Sequence, residues 1–381
     1  MKKAIVFLEQ QSWLGGAQRV LEATLDAIAG EYDCVVAFPG PGPFRSALEA
    51  RNIETIDLRI GDYRPGEKSW PEAAAFLWRS LYCGLKLAMV VRRRRIALIY
   101  INGPRCLPAG ILAARLTRRP AVFHLHLILN RRLESALVAR LSRRVSEIVA
   151  CSGAAADSLS DRDRRLSPKI RVLHNPLPPS GIRRAVPSHR IASRFTVGIV
   201  GRVTETKGHH LLLRALGTLP SQLRDKVRIL VVGSGAPGCE ADRRYTADLR
   251  AEAVRQGLEE QIVWAGYQSD PGPYYASMDV LAHPALVEAM CLVILEALQQ
   301  GVPVIAARTG GIPEVVKDGS NGLLVPPDDA DALGEALRLF LENGVVRGRL
   351  QAGARAGLDS RFWPETYSAG ARETIMELCG G

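Results

Sequence analysis

Short, nearly continuous apolar runs recur along the chain, and longer stretches with helical periodicity separate them. Runs of this kind suit strands buried on both faces of a parallel sheet. In the first half they fall at 3–8, 34–38, 54–58, 97–101, 121–126, 147–151 and 169–173. A second series occupies 195–200, 228–232, 261–264, 280–283, 304–307 and 322–325. Strand and helix alternating twice over predicts an α/β chain of two doubly wound, Rossmann-like domains. The proline-rich stretch at 175–188 breaks the pattern and reads as a linker. The expected division is a first domain over 1–175, a linker over 176–193 and a second domain over 194–360. A last helix over 361–379 is expected to return to the first domain.

Composition agrees. A chain of 381 residues exceeds one ordinary core, and 47% hydrophobic with 23% charged residues are globular values. The longest apolar stretch, 81–91, is interrupted by Lys86 and falls short of the roughly 18 residues a spanning helix needs. The opening Met1-Lys2-Lys3 leads into a short apolar run without a small-residue cleavage site, so it reads as a buried strand rather than a leader. A soluble cytoplasmic enzyme is expected. The seven cysteines have no zinc or redox spacing and suit a reducing compartment. Cys291 lies near a helix N-terminus that would lower its pKa, but like the others it is expected to be a small packing residue.

Charge is unevenly divided. Residues 1–190 hold 31 Lys and Arg against 16 Asp and Glu, a net of +15. Residues 191–381 hold 19 against 23, a net of −4. The arginines cluster, as at Arg92-Arg93-Arg94-Arg95. That asymmetry predicts an anionic partner for the first domain alone. No nucleic-acid module is readable, so the expected partner is an anionic membrane surface. Segment 76–95, aromatic and aliphatic with a basic end, suits an interfacial helix; an ordinary helix with cations at its C-terminus fits it too.

The candidate chemistry follows strands of the second half. Glu288 falls in a loop after strand 280–283, and Glu296 falls in the next helix, expected to start near Met290. Crevices at the carboxyl ends of such strands bind ligands, and carboxylates there accept hydrogen bonds from hydroxyls. Gly201-Arg202 and Lys207-Gly208 precede a helix, a setting for phosphate. Gly233 and Gly235 allow close backbone approach after strand 228–232. Together these loops suit a diphosphate flanked by a sugar at Glu288 and a ribose at Glu296.

This set, with Trp264-Ala265-Gly266-Tyr267 and Thr309-Gly310-Gly311-Ile312-Pro313-Glu314, resembles the donor half of the retaining family-4 glycosyltransferases. Gly15-Gly16 and His126 resemble that family's first half. The resemblance implies the GT-B fold, with its two domains facing a deep cleft. It implies that Arg202 and Lys207 neutralise the leaving diphosphate and that Glu296 binds ribose. Glu288 would hold the sugar, under backbone amides of Ala289, Met290, Cys291 and Leu292. Gly15, Gly16, Gly201 and Gly233 would admit the donor, Tyr267 would lie by the base, and His126 would contact the sugar. His124 rivals His126. We favour His126, expecting strand alternation to set one of the two on the wrong face.

The chain departs from the family pattern in three places. Ala289-Met290 stands for Gly-Phe after Glu288, Gln18 for Glu, and Leu127 for Asp. Asp161 and Asp163 have metal-pair spacing, but they sit in an arginine-rich connection and read as solvated charge. No metal or other cofactor is expected. The expected partners are a nucleotide-diphosphate sugar, a glycan or lipid-linked acceptor, and the membrane.

Overall fold

The computed structural model describes residues 2–60, 70–177 and 194–380; most of the expected linker lies outside them. The chain divides into two compact units, Met1–Pro176 with Arg361–Gly381, and Leu177–Ser360.

The first unit is built on seven parallel strands: β1 (Lys3–Glu9), β2 (Tyr32–Phe38), β3 (Glu54–Asp57), β4 (Ile96–Asn102), β5 (Ala121–Leu125), β6 (Glu147–Ala150) and β7 (Ile170–Val172). Their order is β3-β2-β1-β4-β5-β6-β7. Chain order reverses between β1 and β4, so these two open a crevice at their carboxyl ends. Glu9 and Asn102 are register partners at that point. The central runs are buried, with Ile5, Val6, Phe7 and Leu8 of β1 at 0% exposure, while the edge strands β3 and β7 are only partly covered. Strand β5 stops at Leu125, so His126 lies one residue beyond the strand it was expected to end.

The helix Pro364–Gly380 belongs to this unit. Its Tyr367 hydroxyl meets the Thr24 hydroxyl at 2.6 Å in the core. Arg372 donates to the Ala27 carbonyl at 2.8 Å. Arg171 on β7 pairs with Glu373 and Glu377.

A further helix, Trp70–Arg93, crosses from β3 to β4. It starts earlier than segment 76–95 suggested. It is also long and apolar enough to cross a membrane, with an 18-residue window of mean hydropathy 1.4. This corrects the expectation from the 81–91 stretch, because a helix tolerates a charge inside an apolar window.

The second unit carries six parallel strands: β8 (Phe195–Val200), β9 (Val227–Val232), β10 (Ile262–Gly266), β11 (Val280–His283), β12 (Val304–Ala307) and β13 (Gly322–Val325). Their order is β10-β9-β8-β11-β12-β13, with the reversal between β8 and β11. Branched side chains of the strands and the leucines of helix His209–Gly217 form one core beneath that switch point.

Candidate functional site

Two loops meet at the switch point of the second unit. The loop after β8 holds Gly201, exposed Arg202 and half-buried Lys207; the loop after β11 holds Glu288. They are stitched together, since the Leu286 amide donates to the Thr206 carbonyl at 2.9 Å. Gly208 makes the approach possible: its φ is +72°, and a Cβ there would fall 2.1 Å from the Pro284 carbonyl oxygen. Gly233 plays the same part after β9, where a Cβ would meet the Gly201 carbonyl oxygen at 1.8 Å.

The stitching brings the Lys207 ammonium onto the Glu288 carboxylate. His283, at the end of β11, lies with Nε2 3.3 Å from the same carboxylate and 3.2 Å from Cys291 Sγ. Burial would raise the Glu288 carboxyl, but Lys207 and His283 outweigh it and pull its pKa down to about 2. An ionised carboxylate only accepts, so His283 carries its proton on Nε2. Burial lowers the pKa of Lys207, and Glu288 more than restores it. The charge on Arg202 reaches Lys207 and works against it. Two like charges on one loop at a strand end are relieved by an anion.

Cys291 is the buried packing residue expected of it, at 3% exposure. It caps helix Leu292–Gln299, yet burial and the neighbouring Glu288 hold its thiol protonated. Helix-end attraction is too weak to offset the loss of solvent. The helix starts at Leu292 rather than Met290, which puts Glu296 about 6 Å along its axis instead of 9 Å. Glu296 is buried and accepts from the Tyr275 hydroxyl at 2.6 Å. Tyr275 was missed in the sequence, where only the adjacent Tyr274-Tyr275 pair hints at it. Tyr267, just past β10, is 62% exposed. His283, Glu288 and Cys291 offer three metal-type donors within 4.8 Å of one another. A cation there would have to displace the Lys207 ammonium and take the proton of a buried thiol. Asp163, in contrast, is held between Arg143 and Arg165.

The first unit has its own constellation at the β1–β4 switch point. Glu9 is 1% exposed and accepts four hydrogen bonds: from the Gln10 and Gln11 amides, from Gln18 Nε2 at 2.8 Å and from Asn102 Nδ2 at 2.6 Å. The Asn102 carbonyl oxygen therefore faces away and lies 2.7 Å from His126 Nε2. That nitrogen must be the donor, so Nδ1 of His126 is bare; it is buried and has no partner among the described residues. Burial holds the His126 pKa near 3, so the ring is neutral. His124 and His126 do not take opposite faces as expected. Residues two apart share a face, and the two rings stack at 3.8 Å. His124 is the deeper one and bonds the Tyr100 hydroxyl at 2.8 Å.

Glu9 is a site residue that sequence reading passed over, because a single acid ending an apolar run carries no spacing signal. Burial pushes its pKa up from 4.5 to about 7, against the four hydrogen bonds. Between those values the folded state holds the proton more tightly. The stability it contributes is complete below pH 4.5 and is lost as pH rises through 7, about 3 kcal/mol in all. Urea denaturation across that range should show the native chain losing about 3 kcal/mol more than Glu9→Gln. Equal slopes would show that the carboxyl titrates normally.

Two family models match the chain: Glycosyl transferases group 1 over residues 184–357, and Glycosyltransferase Family 4 over residues 14–180. HepE of Anabaena, solved with UDP and glucose, superposes with a TM-score of 0.82 at 26% identity, over 97% of this chain and 98% of that one. The chain belongs to the family-4 glycosyltransferases, with the GT-B fold. Among curated relatives, the D-inositol 3-phosphate glycosyltransferase of Saccharomonospora viridis is 31% identical over 227 residues, 56% of this chain and 50% of that protein. The lipopolysaccharide core biosynthesis glycosyltransferase LpsE of Rhizobium meliloti is 31% identical over 169 residues, 44% of this chain and 46% of its own. The chain thus spans about half the length of the curated relatives it matches.

This family-4 chain gives one of its departures a physical reason. Gln18 donates to Glu9, whereas a glutamate there would set two buried carboxylates together. Gly15 caps helix Gly16–Ala27, where an added Cβ would fall 3.0 Å from Oε1 of Gln18, so the glycine pair adjoins the side chain that bonds Glu9. Ala289 and Met290, which follow Glu288, are buried at 5% and 6% exposure. Nothing in the structure explains Leu127.

Proposed function

We propose that this chain transfers a sugar, with retention of anomeric configuration, from a nucleotide-diphosphate donor to a lipid-linked or membrane-associated glycan. Surface polysaccharide or glycolipid assembly is the setting. The observation that carries this reading is Lys207 held on Glu288 at a strand-end switch point, with Arg202 on the same loop. An ammonium has three donors, so Lys207 keeps Glu288 and still meets a phosphate. UDP and UDP-glucose in the HepE structures support a uridine donor. The relatives named for inositol phosphate and lipopolysaccharide core support an acceptor of surface-glycan type.

In this reading Arg202 and Lys207 stabilise the diphosphate as its bond to the anomeric carbon breaks. The acceptor oxygen bonds that carbon on the same face, and its proton passes to the departing phosphate. Glu288 and the amides of 289–292 hold the sugar, and Glu296, oriented by Tyr275, takes the ribose. Neutral His126 accepts from a sugar hydroxyl at its bare Nδ1. Gly15, Gly16, Gly201 and Gly233 give the donor room, and Tyr267 lies by the base. Lys207 occupies the cation's place, so no metal is needed. The net charge of +15 in residues 1–190 supports work at an anionic membrane, on its cytoplasmic face.

Radiolabelled UDP-sugars incubated with the protein and membrane fractions test the reading. Label should become lipid-extractable and should do so undiminished in EDTA. Free sugar alone would indicate hydrolysis, and donor binding without turnover would overturn the enzyme reading.

A further inference from the structure

The helix Trp70–Arg93 has two apolar faces. One faces inward: Ser80, Cys83, Gly84, Leu87, Ala88 and Val91 are buried. The neighbouring helix Leu107–Thr117 lies so close that a Cβ on Gly84 would fall 2.7 Å from Leu112. The other face bears Leu77, Trp78, Leu81, Tyr82, Leu85 and Met89, all exposed, with Leu77 at 62% and Trp78 at 71%. These positions are three or four apart and so form one stripe. Trp70 extends the stripe two turns towards the N-terminus and is 90% exposed.

Scattered exposed apolar residues are ordinary, but a continuous stripe of large ones marks an interaction surface. Its margin is cationic. Arg79, Lys86 and Arg93 recur every seventh residue, and at about 100° per residue they run along one edge of the stripe. The helix Arg132–Ser142, which also packs on Leu107–Thr117, adds exposed Leu133 and Leu137 beside Arg132 and Arg140.

We infer that the outward stripe of Trp70–Arg93 lies in the headgroup region of an anionic bilayer, with Arg79, Lys86 and Arg93 on lipid phosphates. This rests on the membrane setting proposed above and assigns the surface that meets it. The helix lies in the interface and does not span. Its inner face is committed to the core, and only Arg94 and Arg95 separate it from β4. Leaving the fold would expose Cys83, Leu87 and Val91 and unpack Gly84. Charge selects lipid over a second copy, because two units of the same strong positive charge repel while anionic lipid attracts both arginines and apolar side chains.

Co-sedimentation with vesicles of 70% phosphatidylcholine and 30% phosphatidylglycerol, compared with phosphatidylcholine alone, tests this. The full chain should bind the anionic vesicles, and raised salt should weaken binding without abolishing it. Trp78→Ser with Leu81→Ser and Leu85→Ser should lower binding at least tenfold while leaving the melting temperature unchanged, because all three side chains are exposed. Arg79→Glu with Arg93→Glu should remove the preference for anionic lipid. Unaltered binding by the triple variant overturns the assignment. So does a native dimer that the triple variant converts to monomer with vesicle binding intact, which would assign the stripe to a second copy. Donor turnover measured on detergent-extracted acceptor separates the two readings. Turnover without vesicle binding sinks the docking surface alone, and vesicle binding without turnover sinks the transferase alone.

Discussion

Replacing Lys207 with methionine is expected to cut sugar transfer by roughly 10²–10³-fold, the loss typical when one preorganised donor to a developing anion is removed. The same substitution should also destabilise the second unit, by about 3 kcal/mol, because it leaves the Glu288 carboxylate buried without its cation. The two losses have separate signatures. In the native chain the Glu288 pKa is depressed to about 2 from 4.5, so its contribution to stability is present above pH 4.5 and lost as pH falls towards 2. Without Lys207, burial raises that pKa instead, and the variant loses stability as pH rises. Adding Glu288→Leu to Lys207→Met removes the stranded charge and should restore most of the stability, since paired ions can often be replaced by apolar groups without loss. It should not restore transfer. A double variant that regains activity would mean that Lys207 serves the fold and not the diphosphate.

The second large effect is expected at Gly208. Alanine there meets two obstacles at once, a φ of +72° and a Cβ 2.1 Å from the Pro284 carbonyl oxygen. The strain alone costs about 1 kcal/mol. The clash is with backbone and cannot be relieved by a rotamer change, so the loops after β8 and β11 must part. Gly208→Ala should therefore cost roughly 3 kcal/mol and lower transfer by about two orders of magnitude, through the displaced Lys207. Gly257 is the internal control, with a similar φ of +67° and nothing within 4 Å of an added Cβ. Gly257→Ala should cost about 1 kcal/mol and leave transfer unchanged. Melting temperatures and initial rates on the two variants decide the point; equal behaviour would show that loop approach is unimportant.

The fold was legible because its central strands are buried on both faces and write themselves as apolar runs. Strands β8, β11, β12 and β13 were read to the residue. The glycines, Lys207 and Glu288 were legible for a related reason. A loop at the end of a buried strand has few tasks, and Gly, Lys and Glu in it announce an anion and a hydroxyl. What stayed hidden depends on distances across the sheet. The Glu9–Asn102–His126 chain joins residues far apart in sequence, and only the register of β1 on β4 brings the first two together. The His124–His126 pair was misjudged by a plain error of parity, since residues two apart share a strand face.

The helix Pro364–Gly380 completes the first unit although it follows the whole of the second unit in sequence. Tyr367 fills a core position against Thr24, and Arg372 takes up the carbonyl of Ala27. During synthesis, residues 1–176 leave the ribosome with that place in their core empty, and they wait for the whole of the second unit to be translated. A nascent chain commonly folds domain by domain from its N-terminus. Here the order is inverted: the second unit can close first, and the more basic, more apolar-surfaced unit closes around a helix that follows it. For that interval the first unit is held open with its exposed leucines and tryptophans beside an unfilled core, which is the state most in need of a chaperone or of a lipid surface on which to settle.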